Sequence, residues 1–206
     1  MSLALTITTK KGDSGITRDF NGKEYQKSSN TVLVLGQLDI LNCHIGAVRI
    51  HAPNNKILEK MQVELFTLGS VVANFNNKYS STEMVDCLEE EIKSLTQKLP
   101  PLRNFIMPTG TRHCIDIHLC RSICRQCEHH LCKLKKTSAI KQCIILLNRF
   151  SDYMFMLAYE INCKQGKIHK ISNCKLTSKQ ITYDMAPLWQ LLISIVAVMI
   201  WIYTLL

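Results

Sequence analysis

The chain has 206 residues, enough for one domain of ordinary size with a real core. Its formal charge is +9, from 25 Lys+Arg against 16 Asp+Glu, and 47% of its residues are hydrophobic. That balance suits a phosphorylated small molecule. Without an interleaved basic–aromatic pattern it argues against a nucleic-acid partner.

Thr9-Lys10-Lys11-Gly12-Asp13-Ser14-Gly15-Ile16-Thr17 is a glycine-punctuated, hydroxyl-rich loop. Its glycines allow backbone N–H groups to turn toward an anion, and its lysines and threonines add charge and donors. The Walker A spacing is absent, so by itself the loop reads equally as a surface turn.

Helical periodicity begins at Thr31 and runs to about His51 through Val32, Leu35, Leu38, Leu41, Ile45 and Val48, stopping at Pro53. A second helix is predicted from Lys56 to Phe75, with Ile57, Leu58, Met61, Leu65, Leu68 and Val72 inward. Ser80 with Glu83 reads as a capping box for a third helix, with Val85, Leu88, Ile92, Leu95 and Leu99 as its stripe, and Pro100-Pro101 ends it. A fourth is predicted from Arg112 to Lys135. A fifth runs from Thr137 or Ser138 to Cys163, with Ile140, Ile144, Leu147, Ser151, Met154 and Ala158 inward. Alternating strand patterns are missing. Five amphipathic helices with short connections predict an all-α, antiparallel five-helix bundle with a ferritin-like up-down core.

On the fourth helix, at about 100° per residue, His118, Arg121, Arg125 and Glu128 fall within roughly 80° of arc. Leu119, Cys120, Ile123, Cys124, Cys127 and Leu131 take the opposite side. Such a face is ordinarily solvated charge, but two arginines one turn apart can also clamp a polyphosphate. On the fifth helix, Asn148, Asp152, Phe155 and Tyr159 form a strip that is either surface or bonded to a partner helix.

The chain carries ten cysteines. Met1 to Ile7 lacks a basic n-region and a cleavage site, so no secretory signal is read and reduced cytosolic thiols are expected. Cys124-x-x-Cys127 could chelate a metal, but Cys120, Cys124 and Cys127 continue an apolar arc and no second such pair exists. They read as core, with no metal site expected.

From Ala186 to Leu206 there is no charged residue. Twenty-one residues at about 1.5 Å each span roughly one hydrocarbon core. Trp189, Trp201 and Tyr203 lie toward its ends, and five lysines precede it between Lys164 and Met185. The expected organisation is a bundle domain at 1–163, a basic linker at 164–185 and a C-terminal hydrophobic helix at 186–206. That helix would anchor the bundle to a membrane from the cytoplasmic side. The alternative is a buried final helix.

In order, these pieces resemble the ATP:cob(I)alamin adenosyltransferase family of the trimeric helical-bundle type, over about Thr8 to Asn162. The resemblance rests on the Thr9–Thr17 loop with Gly22 and Lys27, and on Gly36-Gln37-Leu38-Asp39-Ile40-Leu41-Asn42 with Gly46. It continues through Phe105-Ile106-Met107-Pro108, His118-Leu119-Cys120-Arg121-Ser122-Ile123-Cys124-Arg125 with Glu128, and Leu147 to Phe155. It implies a homotrimer with ATP sites between subunits. Thr9, Lys10, Lys11, Gly12, Thr17 and Lys27 would wrap the triphosphate, and Arg125, Glu128 and Asn148 would bind the nucleotide. Arg121 would pair with Asp39 of a neighbouring subunit, and Phe105 would press on the lower face of the corrin. The implied reaction is attack of Co(I) of cob(I)alamin on the 5′ carbon of ATP, with Mg²⁺ neutralising the phosphates. The chain departs from the family pattern at Ile40, Lys23-Glu24-Tyr25, Thr109-Gly110-Thr111, Gln126 and His129. Two other readings remain: a degenerate protein that holds or delivers adenosylcobalamin without making it, and a membrane-anchored Cys/His metal protein.

Overall fold

Four short polar side chains decide where helices begin in the computed structural model, which describes residues 8, 10–19, 21–75 and 78–168. Ser29 opens α1 (Asn30–His51) by accepting from the Val32 N–H, and Asn55 opens α2 (Lys56–Val72) by accepting from Ile57 and Leu58. Thr111 opens α4 (Arg112–Leu131) through Cys114, and Thr137 opens α5 (Ser138–Lys164) through Ile140. Each satisfies an N–H that the first turn leaves without an intrahelical partner.

Helix α3 (Thr82–Lys98) begins differently, and the expected capping box is not formed. Its N-cap is Ser81, whose hydroxyl donates to Gln142 at 2.9 Å from Oε1 and 3.1 Å from the carbonyl oxygen. Ser80 instead accepts from the Thr82 N–H. A tertiary bond to α5 has displaced the local motif. Helix α2 stops at Val72, short of the expected Phe75, because Asn74 takes φ 59° and turns the chain. Helix α4 likewise stops at Leu131 and not at Lys135.

The chain also contains two short strands that alternation did not reveal. β1 (Ile16–Arg18) pairs antiparallel with β2 (Glu24–Gln26), Thr17 lying opposite Tyr25. The turn is held by Asp19, whose Oδ1 accepts from the N–H groups of Asn21 and Lys23 and whose Oδ2 accepts from Tyr25 Oη.

Helix directions follow from named contacts. Glu59 meets Arg49, Gln62 meets Asn42 and Gly69 lies against Leu35, so α1 and α2 are antiparallel. The rings of His51 and His113 lie 5.0 Å apart, setting the C-terminus of α1 beside the N-terminus of α4. Cys114 meets Ala158 while Cys124 meets Leu147, so α4 and α5 are antiparallel. Ser81 with Gln142, Glu89 with Arg149 and Pro100 with Tyr159 make α3 and α5 parallel neighbours. Helices α1, α2, α5 and α4 close a four-membered up-down bundle, and α3 lies along the outside of α5. The expected bundle is present, with one parallel pair added.

The core is built largely from the anticipated stripes, with Phe150 added on α5 and Ile144 only half-buried. Leu38, Leu41, Ile45 and Val48 of α1, Leu58, Met61 and Leu68 of α2, and Leu147, Phe150 and Met154 of α5 are buried. Val34 replaces Val32 and Leu35 at the start of the α1 stripe, both of which are half-buried. Helix α1 is unusual in being apolar on a second side. Leu33, Gly36, Ile40, Cys43 and Ile50 are exposed, with half-buried Ala47 between the last two. Their alternating three- and four-residue spacing is that of a helix–helix seam. By length and composition α1 is apolar enough to cross a membrane, and its two apolar sides account for that. The hydrophobic stretch 186–206 lies outside the described residues.

Candidate active site

The sequence places His118, Arg121, Arg125 and Glu128 on one strip of α4, and the fold turns that strip toward α5 rather than into open solvent. Arg121, Arg125 and Glu128 are half-buried and His118 is buried. Asn148 Nδ2 donates to Glu128 Oε1 at 3.2 Å, which links two of the predicted site residues directly. Asp152 stands one turn further along α5, close enough to Arg121 and Arg125 for their charges to act on it.

This wall is electrostatically unsettled. Burial lowers the Arg121 pKa, as does the charge of Arg125, against the pull of Asp152. The Arg121 Nε is buried with no hydrogen-bond partner. Burial raises the Asp152 pKa although Arg149, Arg125 and Arg121 oppose it. Arg149 itself is held elsewhere, donating to Glu89 at 2.8 Å and to Asp152 at 3.4 Å. Two half-buried guanidinium groups thus share little internal compensation, the condition in which a polyanion binds well.

His118 also lacks hydrogen bonds at both ring nitrogens. Burial, then the Arg121 charge, depresses its pKa and favours the neutral imidazole. The expectation that Leu119 belongs to the buried arc is not met, since it is 46% exposed. The buried arc of α4 is shifted from the one the wheel suggested: it leaves out Leu119 and takes in Asp116, Ile117 and His118.

The cysteine side is core. Cys114, Cys120, Cys124 and Cys127 are fully buried, and Cys124 Sγ donates to the Leu147 carbonyl at 3.1 Å. Burial pushes the Cys127 thiol up to about 12 and raises Cys120 and Cys124 well above the ordinary range. Such thiols stay protonated and are poor ligands and nucleophiles.

The N-terminal loop supplies a second group of cations. Lys10 and Lys11 are exposed, and Thr17 is half-buried in β1. Lys10 holds φ 55°, an uncommon conformation for a side chain with a Cβ. The Lys27 N–H donates to the Gly15 carbonyl at 2.9 Å, folding the loop over β2. Lys27 then lies so close to Gly12 that a Cβ there would sit 2.9 Å from the ammonium nitrogen. Gly12 and Lys27 are therefore brought together. Thr9 lies outside the described residues.

The hairpin packs at the start of α1, where Thr17, Tyr25, Thr31, Val32 and Leu35 line a cleft of about 150 Å³. A ligand the size of ATP needs roughly 300 Å³ or more, so this cleft cannot enclose one alone. Because α1 and α4 are antiparallel, the start of α1 and the end of α4 share one end of the bundle. The lysine loop and the Arg125–Glu128–Asn148 group thus belong to that same end.

Asp39 is exposed on α1, beside the apolar seam, and makes no ion pair within the chain among the described residues. Arg121 and Asp39 are not paired within one chain. Phe105 lies in the connection between α3 and α4 and is 42% exposed, with Leu102 at 44% and Met107 at 45% nearby in sequence. All three are exposed apolar side chains of this one connection, of which the sequence had marked only Phe105 and Met107.

Comparison with known proteins agrees with this arrangement. The cobalamin adenosyltransferase family pattern matches residues 7–161. Corrinoid adenosyltransferase MMAB of Bos taurus is 33% identical over 180 residues, covering 80% of this chain and 75% of its own length. A cobalamin adenosyltransferase of Cupriavidus metallidurans is 32% identical over 166 residues, covering 78% and 90%. Among solved structures, a variant of the PduO-type ATP:corrinoid adenosyltransferase from Lactobacillus reuteri, complexed with cobalamin and ATP, superposes with a TM-score of 0.75 at 28% identity. It covers 81% of this chain and 99% of that one. With the family pattern spanning residues 7–161 and relatives 32–33% identical over most of its length, the chain belongs to the cobalamin adenosyltransferase family.

Proposed function

We propose that this protein transfers the 5′-deoxyadenosyl group of ATP to cob(I)alamin, giving adenosylcobalamin and triphosphate. The observation that carries the reading is the half-buried Arg121–Arg125 pair with Glu128 and Asn148, at the bundle end that also holds the Gly12–Lys27 loop. The electron pair of Co(I) forms the bond to the 5′ carbon, and the bond from that carbon to the triphosphate oxygen breaks with its pair leaving on oxygen. No proton moves. The protein contributes position and charge.

In this reading Thr9, Lys10, Lys11, Gly12, Thr17 and Lys27 hold the triphosphate. Arg125 meets its charge, and Glu128 with Asn148 orients the nucleoside. Phe105 meets the lower face of the corrin and keeps its nitrogen ligand off cobalt. No three His, Cys, Asp or Glu side chains converge on a metal site among the described residues. Mg²⁺ would accordingly ride on the phosphate oxygens rather than in a cage of protein ligands.

The working unit is a homotrimer. The exposed seam of Leu33, Gly36, Ile40, Cys43 and Ile50 supports this, because a monomer would leave it in water. Asp39 beside that seam is where a neighbour's Arg121 would find its partner. The organisation is a catalytic bundle at 1–163, a basic linker at 164–185 and a membrane anchor at 186–206, with the bundle in the cytosol. Absence of charge from Ala186 to Leu206 supports the anchor.

The test is incubation of the purified protein with ATP and chemically reduced cobalamin. Appearance of the adenosylcobalamin spectrum with one triphosphate per product is expected. Tight corrinoid binding without turnover would favour instead a carrier that holds the product. Gln126 and His129 are the departures that motivate that second reading, and both are exposed.

A further inference from the structure

The connection between α3 and α4 carries the exposed Leu102, Phe105 and Met107, yet among the described residues it has few hydrogen bonds of its own. The Thr109 N–H donates to the Met107 carbonyl at 2.8 Å, and the Thr109 hydroxyl reaches the same oxygen at 3.5 Å. Ile106 packs against the core, and two side chains of α5 hold the segment at its ends. At its start, Tyr159 Oη donates to the Pro100 carbonyl at 2.9 Å. At its end, Asn162 Nδ2 donates to the Thr109 carbonyl at 2.9 Å. Tyr159 is 6% exposed and Asn162 1%. Three residues apart, the two side chains share one face of α5.

Gly110 makes the second bond possible. Its φ of 122° excludes most side chains, and a Cβ there would lie 2.2 Å from Asn162 Oδ1 and 3.2 Å from Cys114 Cβ. Asn162 Oδ1 is itself buried without a partner. A well-packed protein rarely tolerates such an orphan unless the other half of the amide has a task.

We propose that Tyr159 and Asn162 are positioning residues that clip both ends of the 100–111 segment to α5 and so set the height of Phe105 under the corrin. The inference rests on the role given to Phe105 above. It explains why a buried asparagine and a left-handed glycine meet at the end of α5, far from the arginine strip. Phe105 then stands on a rigid helix through two hydrogen bonds, although it lies on a loop. A misplacement of about 1 Å at such a position can cost roughly 100-fold in rate.

The experiment compares Asn162→Ala, Gly110→Ala, Tyr159→Phe and Phe105→Ala with the wild-type protein. The readouts are KM for cobalamin and for ATP, kcat, the spectrum of bound cob(II)alamin in the presence of ATP, and amide exchange over residues 101–110. Asn162→Ala and Gly110→Ala, which break the same contact from opposite sides, should lower kcat by roughly 10- to 100-fold. They should also reduce the fraction of cob(II)alamin lacking its lower nitrogen ligand and speed exchange over 101–110, with KM for ATP unchanged. Tyr159→Phe, which removes one hydroxyl and keeps the packed ring, should shift the same readouts in the same direction by less. If Phe105→Ala removes the signature while folded clip variants keep it, the clip is structural only and the proposal fails. If Phe105→Ala itself leaves the signature intact, the role of Phe105 is wrong and the proposal falls with it.

Discussion

Arg125 and Cys124 are sequence neighbours with opposite environments, and they separate chemistry from packing. Arg125→Ala should lower kcat/KM for ATP by roughly 100-fold, because it removes charge opposite the triphosphate, while leaving the unfolding transition nearly in place. Cys124→Ala should instead cost about 1–2 kcal/mol of stability by emptying a core position and releasing the bond to Leu147, with KM for ATP unchanged. Equal losses of activity in two folded variants would show that the two sides of α4 have been misassigned. Gly12→Ala belongs to the same scale. The added methyl meets only the flexible end of Lys27, so the melting temperature should hold while KM for ATP rises. His118 gives a pH signature. Its folded pKa lies below the ordinary 6.5, so under that pH the unfolded chain binds a proton that the folded one refuses. Stability then falls as pH drops from about 6.5, by up to about 1.4 kcal/mol per pH unit for one proton. His113 shifts in the same direction, chiefly through burial and also through His51, against the opposing charge of Asp116. His118→Leu should flatten part of that fall in denaturant titrations between about pH 5 and 7; an unaltered slope would show that the imidazole does not titrate with folding.

At the scale of elements, α1 carries two apolar faces on one helix. The inner face of Val34, Leu38, Leu41, Ile45 and Val48 is consumed by the bundle. The outer seam would stay wet in a monomer. Ile40→Glu places a charge in the middle of that seam without touching the core, so the folded protein should sediment as a monomer and lose turnover. A trimer that survives the change would move the subunit contact away from α1. Helix α3 teaches a different lesson, since its start is fixed by Gln142 on α5 and not by its own capping residues. The two strands, three residues each, are too short for alternation to reveal. They exist because Asp19 gathers the turn and because Lys27 folds back on Gly15.

For the whole molecule, deleting 186–206 should release the protein from membranes with turnover and trimer intact, checked by fractionation and by the adenosylation assay. Loss of the trimer on deletion would make that stretch part of the assembly. The bundle and its helix limits to within a few residues were legible from periodicity and caps. A helix of 3.6 residues per turn writes its buried face into the chain. The arginine strip was legible as a helical face for the same reason, whereas its grouping with the lysine loop came only from the resemblance to the family. What the sequence could not carry is which flank of each helix is covered. Only the packing of α4 against α5 shows that His118 is buried, that Leu119 is exposed and that Asn148 meets Glu128. Only the packing of α5 against both α3 and α4 brings Tyr159 and Asn162 to the two ends of the Phe105 segment. Those contacts join residues more than fifty positions apart. No local pattern encodes them, because they arise from the directions in which whole helices pack.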